Sequence, residues 1–284
     1  MKIIFKIIII FFISLILLIS YLSFVGFETQ RFNNEIVKKI EEINDNLEVE
    51  IKGVNIVLSP FEFKLNAKTI GPKFKLRNNK KTIEIENIKT QIPLKSFFKK
   101  KFIIENLEVS TKSLEIKNLI SFARIFYKDP ELYILEKIVK KGYLVVDIKL
   151  DFDENGSVKD NYEIKGLVKE AKIDIFKKYK VEDLDFIFNY SKNFINVKSV
   201  KLLFNNLKFT SENLDFKKNK DFYFIKEDFE NKDIFLEKNN LQLFVKPILN
   251  NLDIEKIKFN SKNKFSTKLS NKLRFSDFTL QSEI

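Results

Sequence analysis

The chain has no cysteine, no histidine and no tryptophan, a single methionine, six glycines and five prolines in 284 residues. Without cysteine there is no disulfide framework and no thiol chemistry, although this does not fix the compartment. Without histidine there is no imidazole general base, no Ser-His-Asp triad and none of the common zinc sites. No Gly-rich phosphate loop and no nucleophile elbow can be found. Carboxylates are scattered along alternating segments and never converge in an apolar or Gly-rich setting. The expectation is a protein that is not an enzyme, with no cofactor and no metal. Arginine is scarce too, with Arg31, Arg77, Arg124 and Arg274 the only four among 51 basic residues. The net charge of +12 is carried by lysine. Heavy use of Ile, Lys, Asn and Phe is what an AT-rich genome produces, and many lysines alternate with apolar residues. The charge therefore reads as a solvated strand face, and no nucleic-acid partner is expected.

What is present begins at the N-terminus. Residues 1–27 read "MKIIFKIIIIFFISLILLISYLSFVGF", and nothing from Ile7 to Phe27 is charged. As a helix that run spans about 30 Å, the thickness of a bilayer's hydrocarbon core. Nearly every face is apolar, which excludes an ordinary amphipathic helix. A cleaved signal peptide would have a shorter apolar core and small residues at its end. Here Tyr21, Leu22, Phe24 and Val25 occupy that place, so residues 1–27 read as an uncleaved anchor. Lys2 and Lys6 precede the run and set its N-terminus in the cytoplasm. Residues 28–46 follow, with Phe32, Ile36, Val37, Ile40 and Ile43 at helical spacing. They read as a short amphipathic helix.

From residue 47 the period changes to two, the mark of strands with one buried and one wet face. In a first β module, 47–116, Val49 and Ile51 lead to a phase slip at Gly53. The apolar set continues as Val54 and Ile56, breaks at Pro60, and resumes as Phe61, Phe63 and Leu65. Ile83 and Ile85 precede another slip at Ile88. A slip inside a strand is what a bulge looks like. One loose phrase (apolar, acidic, polar, then alternation) recurs at Ile85, Ile104, Val181, Ser211 and Asp253. Its spacing is too irregular for a solenoid repeat, and each copy is expected to mark a bulge in a long antiparallel meander. Residues 117–141 break the pattern and read as a helical hairpin, with Asp129 capping a second helix that opens at Pro130. A second β module, 142–284, resumes with Leu144, Val146 and Ile148, turns at Asn155-Gly156, and continues through Leu184, Phe186 and Phe188. Further runs are expected at 194–202, 207–209, 214–216, 222–225, 241–245 and 252–259. The chain closes on "TLQSEI", strand-like and without a polar tail, so a longer architecture is expected.

Two local patterns invite a site and favour a plainer reading. "DFDENG" (Asp151–Gly156) opens like a calcium loop, but the twelfth position is Tyr162 where a bidentate Glu belongs, so it reads as a hairpin turn. The basic clusters "KFKLRNNKK" and "FFKKK" read as exposed loops, with anionic head groups as the alternative.

The order of these features resembles a known family. A Lys-flanked anchor and a short helix precede "LEVEIKGVNIVLSPFEFKLNAKTI" and "IEIENIKTQIPLKSFFKKKFIIENLEVSTKSLEI". Later come "YEIKGLVKEAKIDI", "VEDLDFIFNY" and "INVKSVKLLFNNLKFTSENLDF". This succession is similar to the AsmA-like proteins of Gram-negative bacteria, a group with TamB-type and YhdP-type members. The resemblance implies a single-pass inner-membrane protein with a periplasmic β-rich body curled into an elongated groove. It also implies a part in phospholipid passage and outer-membrane homeostasis. The expected fold is mainly β, an elongated, curved, groove-like antiparallel sheet with an N-terminal transmembrane helix and a short helical insertion. The groove candidates are Val49, Ile51, Val54, Ile56, Phe61, Phe63, Leu65, Ile83, Ile85, Leu144, Val146, Ile148, Leu184, Phe186 and Phe188. Expected partners are the inner membrane through residues 7–27, phospholipid, and an outer-membrane or periplasmic protein. Two other classes remain open: a non-catalytic periplasmic scaffold binding a protein through an edge strand, or an assembly factor with a plain sandwich core.

Overall fold

The structure is a computed structural model that describes residues 2–30, 33–34, 37, 47–77, 82–97, 104–126, 130–153, 155, 157–175, 179–219, 222–238, 255–270 and 275–284. It is mainly β, one large open antiparallel sheet with an N-terminal apolar helix and short helical pieces. The chain divides into two units: Met1–Lys112 with Asp147–Tyr162, and Ser113–Val146 with Glu163–Ile284.

The first unit opens with α1 (Lys2–Phe24) and β1 (Phe27–Thr29). It continues with β2 (Leu47–Glu50), β3 (Gly53–Ser59), β4 (Lys64–Ile70), β5 (Lys73–Leu76) and β6 (Thr82–Pro93). A 3₁₀ turn (Leu94–Phe97) and β7 (Asn106–Thr111) follow. Strands run in the order β1-β3-β4-β6-β7, and β5 joins β2 to the first half of β6. In that branch Val49 stands opposite Phe74, and Phe74 opposite Ile83. Leu47, Val49, Leu76 and Ile83 are buried there.

The second unit begins with β8 (Leu114–Glu115), α2 (Ile116–Phe126) and α3 (Pro130–Ile138). Strand β9 (Val139–Asp151) belongs to it as far as Val146, and its last residues pair with β7 in the first unit. A meander follows: β10 (Glu163–Ile175), β11 (Tyr179–Ser191), β12 (Phe194–Phe204), β13 (Leu207–Lys218), β14 (Phe222–Glu237), β15 (Lys256–Ser270) and β16 (Phe275–Glu283). Helices α2 and α3 pack on each other, with Ser121 donating to Glu136 at 2.5 Å and Arg124 paired to the same carboxylate. Pro130 opens α3, where its missing N–H costs no intrahelical bond.

Several boundaries differ from the sequence expectation. Helix α1 ends at Phe24, short of the expected Phe27, and residues 27–29 are already strand, so the helix expected at 28–46 does not begin at 28. Most of that stretch, like the Asp129 cap and the run at 241–245, lies outside the described residues. Gly53 marks a change of ladder and not a bulge: β2 pairs with β5, whereas β3 starts afresh between β1 and β4. Phe61 and Phe63 are in a turn and not in a strand, because Pro60 and the left-handed Phe63 (φ 54°) close the β3–β4 hairpin. Strand β9 starts at Val139, ahead of the expected Gly142. The recurring phrase falls on a register shift at Ile85/Asn87 and again at Glu182/Asp185. At Ile104 it precedes β7, and at Ser211 the β12–β13 register runs without a shift.

Candidate functional site

Directly opposed residues of an antiparallel pair share a face, so the strand register builds the apolar face row by row. In the first unit one row runs Ile56, Ala67, Thr90, Leu107, Leu150. Beside it lie Leu58, Leu65 and Ile92. A third row has Val54 opposite Thr69, and Ile88 opposite Val109, which faces Ile148. The Thr69 hydroxyl joins those halves by accepting the Ile88 N–H at 2.8 Å. The register shift after Ile85 keeps Ile85 on the side that Ile88 and Ile92 occupy.

In the second unit Gly166 stands opposite Phe188, Val168 opposite Phe186, and Ala171 opposite Leu184. Phe188 in turn faces Val197, which faces Leu214. Gly166 is needed here, because a Cβ on it would lie 2.5 Å from the Phe188 ring. Phe186 and Phe188 sit with ring centroids 6.1 Å apart, and Tyr179 stacks on Phe204 at 5.8 Å. Leu184, Phe186 and Phe188 are half-buried, with no second sheet layer among the described residues.

The phase of this face is held by left-handed residues in three neighbouring strands, Glu170 (φ 50°), Asp183 (φ 49°) and Ser199 (φ 53°). Without these offsets the apolar set would rotate to the wet side halfway along each strand. The Asp185 carboxylate accepts the Glu170 N–H at 2.8 Å and pairs with Lys169 at 2.8 Å. Burial pushes the Asp185 carboxyl up, but Lys169 and the Glu170 N–H outweigh it and hold the group below its ordinary value. On the same wet side Lys141 meets Glu170 at 2.6 Å and Lys172 pairs with Glu182.

The sequence-predicted residues therefore divide. Val54, Ile56, Leu65 and Ile148 share the apolar face of the first unit, and Ile85 joins them across the register shift. Val49 and Ile83 are buried in the β2–β5–β6 branch, and Ile51 lies half-buried between β2 and β3. In the second unit Leu184, Phe186 and Phe188 share a face. Leu144 stands opposite Leu114, and Val146 is buried. Phe61 and Phe63 belong to neither face: they are 97% and 71% exposed at a hairpin tip.

Two features escaped the sequence reading. Strands β14 and β15 carry polar residues in the inward row, where Ile225 faces Thr267, Phe229 faces Asn263 and Asn231 faces Ser261. Glu227, Asn231, Ser261, Asn263 and Thr267 are all buried. Ser211 donates to Glu227, Asn263 to Ser261 at 2.9 Å, and Ser282 to Asn263 at 2.8 Å. The other feature is a polar hollow of about 820 Å³ on the opposite face of the first unit, lined in part by Asn55, Asn66, Lys68, Lys89, Gln91 and Asn106. At "DFDENG", the Asp153 carboxylate accepts the Asn155 and Ser157 N–H groups at 2.8 and 2.9 Å, which makes a side-chain-closed turn.

No family model, no curated protein and no solved structure matches this chain.

Proposed function

We propose that the chain is an inner-membrane-anchored, periplasmic AsmA-like protein whose sheet holds phospholipid acyl chains on its apolar face in support of lipid passage and outer-membrane homeostasis. The observation that carries the reading is the state of Leu184, Phe186 and Phe188. These large side chains line one face of a long meander yet remain half-buried, with no second sheet layer among the described residues. A one-sided sheet must cover its apolar face with something. Withdrawing an acyl chain into water costs about 0.8 kcal/mol per CH₂, so about 12 kcal/mol for a chain of roughly 16 carbons. Apolar rows that take over those contacts remove most of that cost without any covalent step, which suits a non-catalytic protein.

Helix α1 supports the membrane part. Its apolar stretch, Ile3–Phe24, is long enough to cross a bilayer, and residues 3–18 of it are exposed. We place its N-terminus in the cytoplasm because Lys2 and Lys6 precede the run.

Strand β16 favours a second reading, a scaffold that binds a protein by edge pairing. It ends the strand order, and Phe278 and Leu280 are exposed on it.

The test places a photo-crosslinking residue in the full-length membrane protein at 186, 187 or 188. Phospholipid adducts are expected at 186 and 188 and not at Ile187, whose side chain points to the other face. Equal capture at 187, or no lipid at any position, overturns the reading. Capture of one protein by a residue at 278 or 280, with no lipid at 186 or 188, establishes the scaffold instead.

A further inference from the structure

The turn of the β3–β4 hairpin is chemically odd. Water-exposed turns are built mostly from Gly, Pro, Asn, Asp and Ser, but this one, opened by Pro60, presents two large rings, Phe61 and Phe63. Phe61 is 97% exposed and Phe63 71%. The Phe63 N–H closes the turn onto the Pro60 carbonyl at 3.3 Å, so both rings are held on a tight loop.

The place of that turn is fixed within the first unit. Strand β1 leads away from α1 and pairs antiparallel with β3, Thr29 opposite Val54 and Phe27 opposite Ile56. Strand β3 therefore runs back toward α1. Gly26 sits against it, since a Cβ there would lie 2.8 Å from Val57 Cγ2 and 2.4 Å from the Ile56 carbonyl oxygen. From Val57 the strand continues past that point to Ser59, an advance of roughly 7 Å at strand rise, before the turn that carries Phe61. Helix α1 packs on β3, and its last turns show the contact: Ile19, Ser20, Leu22 and Ser23 are half-buried, whereas residues 3–18 are exposed. The tip thus lies beside the C-terminal turns of α1, where Tyr21 and Phe24 are also bare.

We infer that the β3–β4 hairpin tip is a second membrane contact, with Phe61 and Phe63 seated in the interface of the leaflet that holds the C-terminal end of α1. This rests on the proposal that α1 crosses a bilayer. Phe side chains of membrane-surface segments bury at that depth, the boundary of head groups and acyl chains. Glu62 lies between the two rings and keeps the turn at head-group level, short of the hydrocarbon. A flanking charge suits anionic head groups. Lys95 is exposed on the 3₁₀ turn, whose Leu94 N–H donates to the Phe63 carbonyl at 2.8 Å, whereas Lys64 is paired with Glu105 at 2.8 Å. Just behind the tip, Leu58 and Leu65 stand opposite each other at the start of the first unit's apolar face. Seating the tip in the leaflet brings the beginning of that face to the lipid.

The natural absence of cysteine makes the test direct. Three variants of the full-length chain, Leu17→Cys in α1, Phe61→Cys at the tip and Glu86→Cys on exposed β6, are labelled with an environment-sensitive fluorophore. They are reconstituted into phosphatidylethanolamine–phosphatidylglycerol vesicles whose acyl chains carry bromine quenchers. Quenching at 17 and at 61 is expected to exceed that at 86 severalfold. Adding Phe63→Asp to the Phe61→Cys chain is expected to return quenching at 61 to the level at 86. If 17 is quenched but 61 matches 86, the tip is in water, and this inference falls while the anchor stands. If Phe63→Asp changes nothing, the label and not the ring pair draws the tip in, and the inference falls too. If 17 itself matches 86, α1 is not in the bilayer and both are overturned.

Discussion

Glu84 on β6 lies between two ammonium groups, Lys112 at 2.8 Å and Lys73 at 3.0 Å. The Lys112 hydrogen bond is the stronger pull and Lys73 the next, and together they bring the carboxyl down from 4.5 to about 2. A carboxyl lowered by folding favours the folded chain above its ordinary value, and that support fades as pH falls from 4.5 toward 2. The group is exposed, so its effect on stability is slight and its titration is the useful signal. Carboxyl-carbon NMR of the intact chain should give Glu84 a midpoint near 2, and Lys112→Ala should raise it toward the ordinary carboxylate range. An ordinary midpoint in the intact chain would mean that the three-strand clasp does not form.

At the scale of elements, glycines separate close packing from tolerance. Gly142 in β9 has a φ of +141°, and a Cβ there would lie 2.8 Å from Ile116 Cδ1 and 2.9 Å from the Ala171 Cα. Strand β9 therefore passes between the start of α2 and strand β10 with no room for a methyl group. Gly142→Ala is expected to cost about 1–3 kcal/mol in denaturant unfolding. Gly53 is the control: its Cβ would meet only the far end of the Glu28 side chain, which can swing away, so Gly53→Ala should stay within about 0.5 kcal/mol. Equal losses at both would mean that β9 is not so confined. The same elements show what hydrophobic spacing can and cannot tell. The helical hairpin was legible because its period differs from the strands around it, and the apolar faces through Val54, Ile56, Phe186 and Phe188 followed from alternation alone. Most of β14 and β15 was not legible, because their inward row alternates through Glu227, Asn231, Ser261, Asn263 and Thr267. Buried polar residues look like solvent-exposed ones in a sequence. Phe61 and Phe63 were misplaced for a related reason: a period of two continues across a four-residue turn, and spacing carries no sign that the chain has left the sheet.

For the whole molecule, the proposed function depends on which side of the membrane the sheet occupies. The charge asymmetry is small but sits where it matters. Lys2 and Lys6 lie within the first turns of α1, its last turn carries no basic residue, and the first charge beyond it is Glu28. Each lysine held at the cytoplasmic face adds to the orientation bias, whereas acidic residues contribute little. Protease added to intact spheroplasts should therefore remove everything beyond α1, and inverted membrane vesicles should protect it. Lys2→Glu with Lys6→Glu removes the bias and should yield a mixed population, readable as partial protection in both preparations. A body digested in inverted vesicles and protected in spheroplasts would place the sheet in the cytoplasm. The apolar rows would then face lipids of the inner leaflet only, and passage toward an outer membrane would have to be abandoned even if Phe186 and Phe188 crosslink to phospholipid.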